Sequence, residues 1–160
     1  MPVTTRISEV RNEISALAES ASTAKDLMKG VCSLLHERML KYNWVGFYML
    51  EPRAQPPMLL LEAFVGAMTP HTRIPLNQGI CGAAASSGRT IVVDDVSKDP
   101  RYLSCSLETK SEIVVPIFVK GEVAGELDID SHFPAAFGID DRAMCEHAAK
   151  LVGRWMENHS

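Results

Sequence analysis

The residues of this sequence whose types and spacing could do chemistry are three closely spaced acids and four separated cysteines. Glu126, Asp128 and Asp130 alternate in the segment ELDID, and in a β-strand this spacing projects all three side chains from one face. Like charges at this spacing repel each other, which tends to raise at least one carboxyl pKa and keep a proton available for acid catalysis. The spacing is equally consistent with a solvated outer face of a sheet.

The cysteines lie at positions 32, 81, 105 and 145, without a CxxC pair or histidines at the spacing of metal ligands, so no metal site is expected. Cys32 and Cys145 fall on or beside apolar helical stripes and are predicted to be buried as small hydrophobic residues. Cys105 lies in a polar segment seven residues before Glu112. A thiol there can be exposed and nucleophilic, although a loop cysteine without a role remains the alternative.

Length and composition predict one compact globular domain over residues 1–160. Hydrophobic residues make up 46% of the chain and charged residues 22%, an ordinary globular balance. The net charge of -4 and the dispersed basic residues argue against a nucleic-acid partner. No apolar run approaches the roughly 20 residues that span a bilayer, and the first residues lack the apolar core of a secretory signal. We therefore expect a cytoplasmic protein without a membrane partner.

Hydrophobic periodicity predicts helices at the two ends and strands between them. The turn at Lys120-Gly121 predicts a tight hairpin, because glycine can adopt a positive φ there. The order of elements predicts an α+β fold with one antiparallel sheet between helices and loops. The predicted helices are 4–20, 24–41, 79–87 and 140–158, the predicted strands are 44–50, 58–66, 72–75, 90–93, 112–119 and 122–129, and a long ordered loop occupies 94–110.

Four segments carry a family resemblance over nearly the whole chain: NWVGFYML at 43–50, RIPLNQGICGAA at 73–84, SEIVVPIFVKGEVAGELDIDS at 111–131, and the terminal helix. These segments resemble the GAF-domain free methionine-(R)-sulfoxide reductases. The spacing from Cys105 to residues 111–114, and from there to residues 127–130, also matches that family without a gap. The resemblance implies a GAF-like antiparallel sheet. The N-terminal and C-terminal helices would cover one face, while loops and a short helix would cover a pocket on the other.

The resemblance also implies the residues of the site. Cys105 would attack the substrate sulfur, and Trp44 would form the aromatic wall of the pocket. Tyr48 shares the strand face of Trp44 and is a further candidate for substrate binding, with a core position as the alternative. The carboxylates implied to hold the substrate and protonate the sulfoxide are Glu112, Asp128 and Asp130. A protonated sulfoxide oxygen leaves more readily, and pocket carboxylates would bind the ammonium group of a free amino acid.

Attack would leave a sulfenic acid on Cys105, which a second thiol must resolve. Cys81 occupies the family's GxCG position and is the candidate resolving thiol, whereas His71 replaces a further family cysteine. The disulfide could therefore form with Cys81, an external thiol could act directly, or turnover could be slow or lost. The resemblance implies no bound cofactor, thioredoxin with NADPH as the external reductant, and a possible homodimer. The alternative function is a non-catalytic GAF sensor for a small molecule.

Overall fold

The computed structural model describes residues 3–103 and 107–159, in which the helices and strands follow the predicted order. The predicted loop at 94–110 contains a 3-10 turn at Val96–Lys98. The helices and strands are α1 (Val3–Ser20), α2 (Ala24–Arg38), β1 (Trp44–Glu51), β2 (Met58–Val65), β3 (Arg73–Pro75), α3 (Gly79–Ser87), β4 (Ile91–Val93), β5 (Ser111–Val119), β6 (Glu122–Ser131) and α4 (Ile139–Asn158).

Helix α2 ends earlier than the apolar pattern indicated. The sequence predicted an end near Lys41, but the last helical residue is Arg38, and Met39 has extended backbone angles of φ -110° and ψ 103°. Met39 and Tyr42 are both buried, and the Tyr42 amide donates to the carbonyl oxygen of Met39. The chain therefore leaves the helix in a turn that still places apolar side chains in the core, which extends the apolar pattern beyond the helix.

The six strands form one antiparallel sheet in the order β3-β2-β1-β6-β5-β4. Its two central strands are β1 and β6, and the hairpin of β5 and β6 turns at Lys120 and Gly121, whose φ values are 52° and 81°. Two successive positive φ angles match the right-handed twist of the flanking strands. The hairpin predicted from the sequence is therefore confirmed.

The sheet separates two apolar layers. Val45 and Phe47 of β1 face the larger layer, which contains the buried sides of α1, α2 and α4, whereas Trp44 and Tyr48 face the layer beneath α3. This alternation follows from the two-residue period of a strand. The predicted α+β class, with the terminal helices on one face and the short helix on the other, is confirmed. Among the described helices, none combines the length and apolar character required to cross a membrane.

Cys32 and Cys145 belong to the helix-side layer, where both are fully buried as predicted. Burial raises the pKa of the Cys32 thiol to about 12, and burial likewise raises the pKa of the Cys145 thiol. Thiols in this state do not ionise near neutral pH. The two cysteines are therefore parts of the core rather than reactive groups.

Candidate functional site

Four carboxylates from β5 and β6 face the layer beneath α3. Glu112 of β5 lies directly opposite Asp130 of β6, while Asp128 and Glu126 follow at two-residue intervals along β6. All four are buried, and none is more than 5% exposed. This burial excludes the solvated outer face that the spacing alone had left open.

Helix α3 places the Cys81 thiol against these acids. It begins at Gly79, whose φ of +71° favours glycine, and it packs on β5 and β6. The Cys81 thiol donates a hydrogen bond to Asp128, with an Sγ–Oδ2 distance of 3.4 Å. The Cys81 sulfur and one carboxylate oxygen each from Glu112 and Asp128 lie within 4.8 Å of one another. The fold therefore brings together one thiol and two carboxyl groups from three separate elements.

Burial makes this cluster hold protons. Burial, with the charges of Asp128 and Asp130 as a second cause, raises the pKa of Glu112 well above its usual value. Burial also raises the pKa of Asp128, against the opposing effect of hydrogen bonds with Glu112 and Cys81. Burial and then the neighbouring carboxylates raise the pKa of the Cys81 thiol. The pocket can therefore store a carboxylic acid proton, and Cys81 rests as a thiol.

Glu126 is a further buried acid on this face and was not among the site residues expected from the sequence. It is fully buried, and burial raises its pKa well above the usual value, although the nearby Cys81 thiol partly offsets this. The thiol hydrogen goes to Asp128, so neither carboxylate oxygen of Glu126 has a hydrogen-bond partner within residues 5–103 and 107–159. The signal was present in the sequence, because Glu126 continues the alternation of Asp128 and Asp130.

We expect Glu126→Met to stabilise the protein by about 1–3 kcal/mol near neutral pH, because the unfolded chain hydrates a carboxylate that the fold leaves unpaired. The folded pKa lies above the unfolded one, so the cost of Glu126 appears as pH rises above about 4.5 and disappears below it. Denaturant unfolding of the wild type and the variant, near neutral pH and again below about pH 4.5, measures the difference in their free energies of unfolding. Glu122→Met, at the exposed start of β6, is the control with little effect. Equal effects of the two substitutions would contradict the prediction.

Tyr48 and Trp44 lie on the same face of β1 but line two different spaces. Tyr48 borders the small cavity that Cys81 and the acids line, and its hydroxyl donates to the carbonyl oxygen of His71 at 2.6 Å. Trp44 borders a neighbouring cleft, and its Nε1 donates to the Ala67 carbonyl at 3.0 Å. Because Asp130 lines both spaces, it is their shared wall.

Gly46 determines where the Trp44 indole lies. A Cβ atom at position 46 would be 2.3 Å from the Cη2 atom of Trp44, far inside van der Waals contact. Gly46 pairs with Asp128 across the sheet, so the indole crosses the strand beside the acids. The glycine in WVGFY thus allows the aromatic ring to lie flat along β1.

The small cavity has a volume of approximately 30 Å³, and the Trp44 cleft has a volume of approximately 120 Å³. Of the predicted residues, Cys81, Glu112, Asp128, Asp130 and Tyr48 line the small cavity. His71 lines it as well, at the position where the resemblance implied a cysteine.

Cys105 lies outside the described residues. The chain before it reaches the pocket, since Leu103 lines the small cavity and contacts the start of α3. A Cβ atom at Gly79 would be only 2.8 Å from the Leu103 side chain. Leu103 therefore borders the cavity two residues before the predicted nucleophile.

A larger open groove, approximately 770 Å³, lies between α4 and β5. Arg89, Phe118 and Lys150 are among its lining residues, and none of the three described cysteines lines it. Its size exceeds that of the buried pocket, but it offers none of the thiol or perturbed-acid chemistry found there. Chemistry rather than volume therefore identifies the candidate site.

The antiparallel sheet, the helices on its two faces and the buried pocket beneath α3 define a GAF domain, and the GAF domain family matches residues 23–154. The free methionine-R-sulfoxide reductase of Escherichia coli is 32% identical over 133 residues, covering 83% of this chain and 78% of that protein. Two solved free methionine-R-sulfoxide reductases are also similar. The Neisseria meningitidis protein, in complex with its substrate, has 32% identity and a TM-score of 0.91, covering 98% of this chain and 92% of that one.

The type II protein from Thermoplasma acidophilum has 42% identity and a TM-score of 0.78, covering 89% of this chain and 96% of that one. The chain belongs to the GAF-domain family of free methionine-R-sulfoxide reductases. The resemblance inferred from the sequence segments is confirmed.

Proposed function

We propose that the protein reduces free methionine-(R)-sulfoxide to methionine by thiol chemistry, with Cys105 as the nucleophile. The observation that carries the proposal is the convergence of Glu112, Asp128 and Asp130 on one small buried cavity. The names of the relatives support the same activity, and one of the similar structures contains its substrate.

In the proposed reaction, the Cys105 sulfur attacks the sulfoxide sulfur while a pocket carboxylic acid protonates the sulfoxide oxygen. The net step transfers the oxygen to Cys105 as a sulfenic acid and releases methionine. The oxygen keeps the proton given by the carboxylic acid, and the thiol proton of Cys105 restores that acid. Glu112 is the acid we favour, because burial and two neighbouring carboxylates favour its neutral form.

Recognition of the free amino acid is proposed to rest on charge. The ammonium group of the substrate would compensate the charge of the buried carboxylates. Within the described residues, no lysine or arginine is among the groups that shift the pKa values of Glu112, Glu126 and Asp128. A peptide-bound sulfoxide brings no such ammonium group to the pocket. Trp44 and Tyr48 would contact the side chain from the β1 face.

Cys81 is the proposed resolving thiol. It would attack the sulfenic sulfur of Cys105, forming a disulfide and releasing water, and thioredoxin with NADPH would then reduce the disulfide. Asp128 accepts the hydrogen bond of the Cys81 thiol, which supports a role for Asp128 in taking its proton. Reduction by thioredoxin requires a compartment that keeps thiols reduced, and we therefore propose that the protein acts in the cytoplasm. We also propose that it acts without a bound cofactor.

We expect Cys81→Ser to lower turnover with thioredoxin by on the order of 10-fold or more, since the disulfide cannot form, while a small dithiol sustains turnover by reducing the sulfenic acid directly. Parallel assays with thioredoxin and dithiothreitol measure this split. If Cys81→Ser turned over as fast as the wild type with thioredoxin, Cys81 would not be the resolving thiol.

An NADPH-coupled thioredoxin assay with separated sulfoxide epimers tests the activity itself. The free R epimer should be consumed, whereas the S epimer and a peptide-bound sulfoxide should not. Absence of turnover with either reductant, together with a rise in melting temperature on adding methionine sulfoxide, would favour the sensor alternative that His71 suggests.

A further inference from the structure

The cluster of Cys81, Glu112 and Asp128 has the composition of a metal-binding site as well as that of an acid pocket. A thiol sulfur and two carboxylate oxygens come within 4.8 Å of one another, and all three residues are about 95% buried. Because they belong to α3, β5 and β6, no ligand spacing in the sequence indicates this set. The expectation of no metal site was based on such spacing.

One distance in the cluster matches the separation of two ligands around zinc. Tetrahedral Zn²⁺ has Zn–S bonds of about 2.3 Å and Zn–O bonds of about 2.0–2.2 Å, which place sulfur and oxygen ligands roughly 3.5 Å apart. The Cys81 Sγ and Asp128 Oδ2 atoms are already 3.4 Å apart. A Glu112 carboxylate oxygen lies within 4.8 Å of that sulfur and of an Asp128 carboxylate oxygen, and would be the third ligand.

The adjoining cavity has room for the ion and a fourth ligand. It offers approximately 30 Å³ to the centres of water-sized molecules, whereas one water needs about 10–15 Å³ by that measure. Three protein ligands and one water form the usual open zinc site. Mg²⁺ and Ca²⁺ require six or more oxygen ligands and do not match this donor set.

Unpartnered carboxyl oxygens beside the cluster are a second observation that favours a cation there. Asp128 Oδ1 and both carboxylate oxygens of Glu126 are buried without a hydrogen-bond partner within residues 5–103 and 107–159. Buried carboxylates are normally paired with a cation, coordinate a metal or hold a proton. Asp128, which carries one of these unpartnered oxygens, also lines the small cavity.

We propose that Cys81, Glu112 and Asp128 bind Zn²⁺ reversibly and that the bound ion excludes the sulfoxide substrate. On binding, the S–H proton of Cys81 and the carboxyl proton that Glu112 and Asp128 hold are released to solvent. One S–Zn bond and two O–Zn bonds form in their place, without any transfer of electrons. The ion occupies two of the carboxylates proposed to act on the substrate and also removes the proposed resolving thiol. Binding of Zn²⁺ is independent of the proposed function, whereas inhibition rests on it.

Competition with a chromogenic chelator measures Zn²⁺ binding to the reduced protein. We expect one Zn²⁺ per chain, at least about 100-fold weaker binding in both Cys81→Ala and Asp128→Asn, and unchanged binding in Cys145→Ala, which removes a buried thiol on the opposite face of the sheet. Co²⁺ should give a thiolate-to-metal absorption band in the wild type that is absent from Cys81→Ala. Zn²⁺ should also raise the melting temperature of the wild type, and Glu112→Gln provides a second ligand variant if another does not fold.

In the sulfoxide assay, Zn²⁺ should act as a competitive inhibitor, and a chelator should reverse the inhibition. Failure of the wild type to bind Zn²⁺, or equal weakening in Cys145→Ala and the ligand variants, would overturn the site. Turnover without Zn²⁺ binding would overturn the site and leave the proposed function intact. Zn²⁺ binding without turnover would support the site and contradict the proposed function.

Discussion

Cys105→Ser is expected to lower kcat/KM for free methionine-(R)-sulfoxide by on the order of 10³-fold or more while leaving the fold intact. A serine hydroxyl remains protonated where a thiol can ionise, and it is a poor nucleophile toward sulfur. The three described cysteines offer no replacement. Cys32 and Cys145 are buried on the opposite face of the sheet, and burial raises the pKa of the Cys81 thiol. The coupled assay with the purified R epimer measures the loss.

Cys145→Ala is the matched control for this experiment, because it removes a thiol from the core and leaves the pocket unchanged. We expect its activity to remain near that of the wild type. Circular dichroism and thermal unfolding establish that both variants are folded. Retention of wild-type activity by Cys105→Ser would contradict the assignment of the nucleophile, and mass-spectrometric detection of a sulfenic acid on another cysteine would identify its replacement.

Glu112→Gln is expected to lower kcat by about 10²–10⁴-fold, the range for loss of a positioned general acid. The amide has nearly the shape of the carboxylic acid but cannot protonate the sulfoxide oxygen. Because burial and the charges of Asp128 and Asp130 raise the pKa of Glu112, wild-type activity should persist above the range of an ordinary glutamate. Activity should then fall as pH rises through the raised value.

The pH profile of kcat separates this acid role from a structural one. In Glu112→Gln the remaining activity should lose the decline that Glu112 ionisation causes in the wild type. Glu122→Gln makes the same change at an exposed position of the neighbouring strand and should preserve both the rate and the profile. A Glu112→Gln variant with the wild-type kcat and profile would transfer the acid role to another carboxyl group.

Local patterns in the sequence were sufficient for most of the secondary structure. The apolar stripes of the terminal helices, the alternation along β1, and the Lys120-Gly121 turn all depend on interactions between residues close in the chain. The predicted end of α2 was less accurate, because Met39 and Tyr42 continue the apolar pattern of the helix in a non-helical turn. The single-domain organisation over residues 1–160 stays a prediction.

The alternation in ELDID established by itself that Glu126, Asp128 and Asp130 share a face, and the family resemblance implied the site residues, including Cys105. The same segment could not establish whether that face was wet or buried. Nor could it indicate that Glu126 is buried beside a thiol, since burial depends on what packs over the strand rather than on the strand.

The tertiary structure decided the chemistry of that face. Helix α3 packs across β5 and β6 and brings Cys81 to within 3.4 Å of Asp128, although the two residues are 47 positions apart. The periodicity of a strand records which side chains point the same way, but removal of water depends on contacts between distant segments. That removal, together with the charges of the neighbouring acids, turns a row of ordinary acids into carboxyl groups that hold protons.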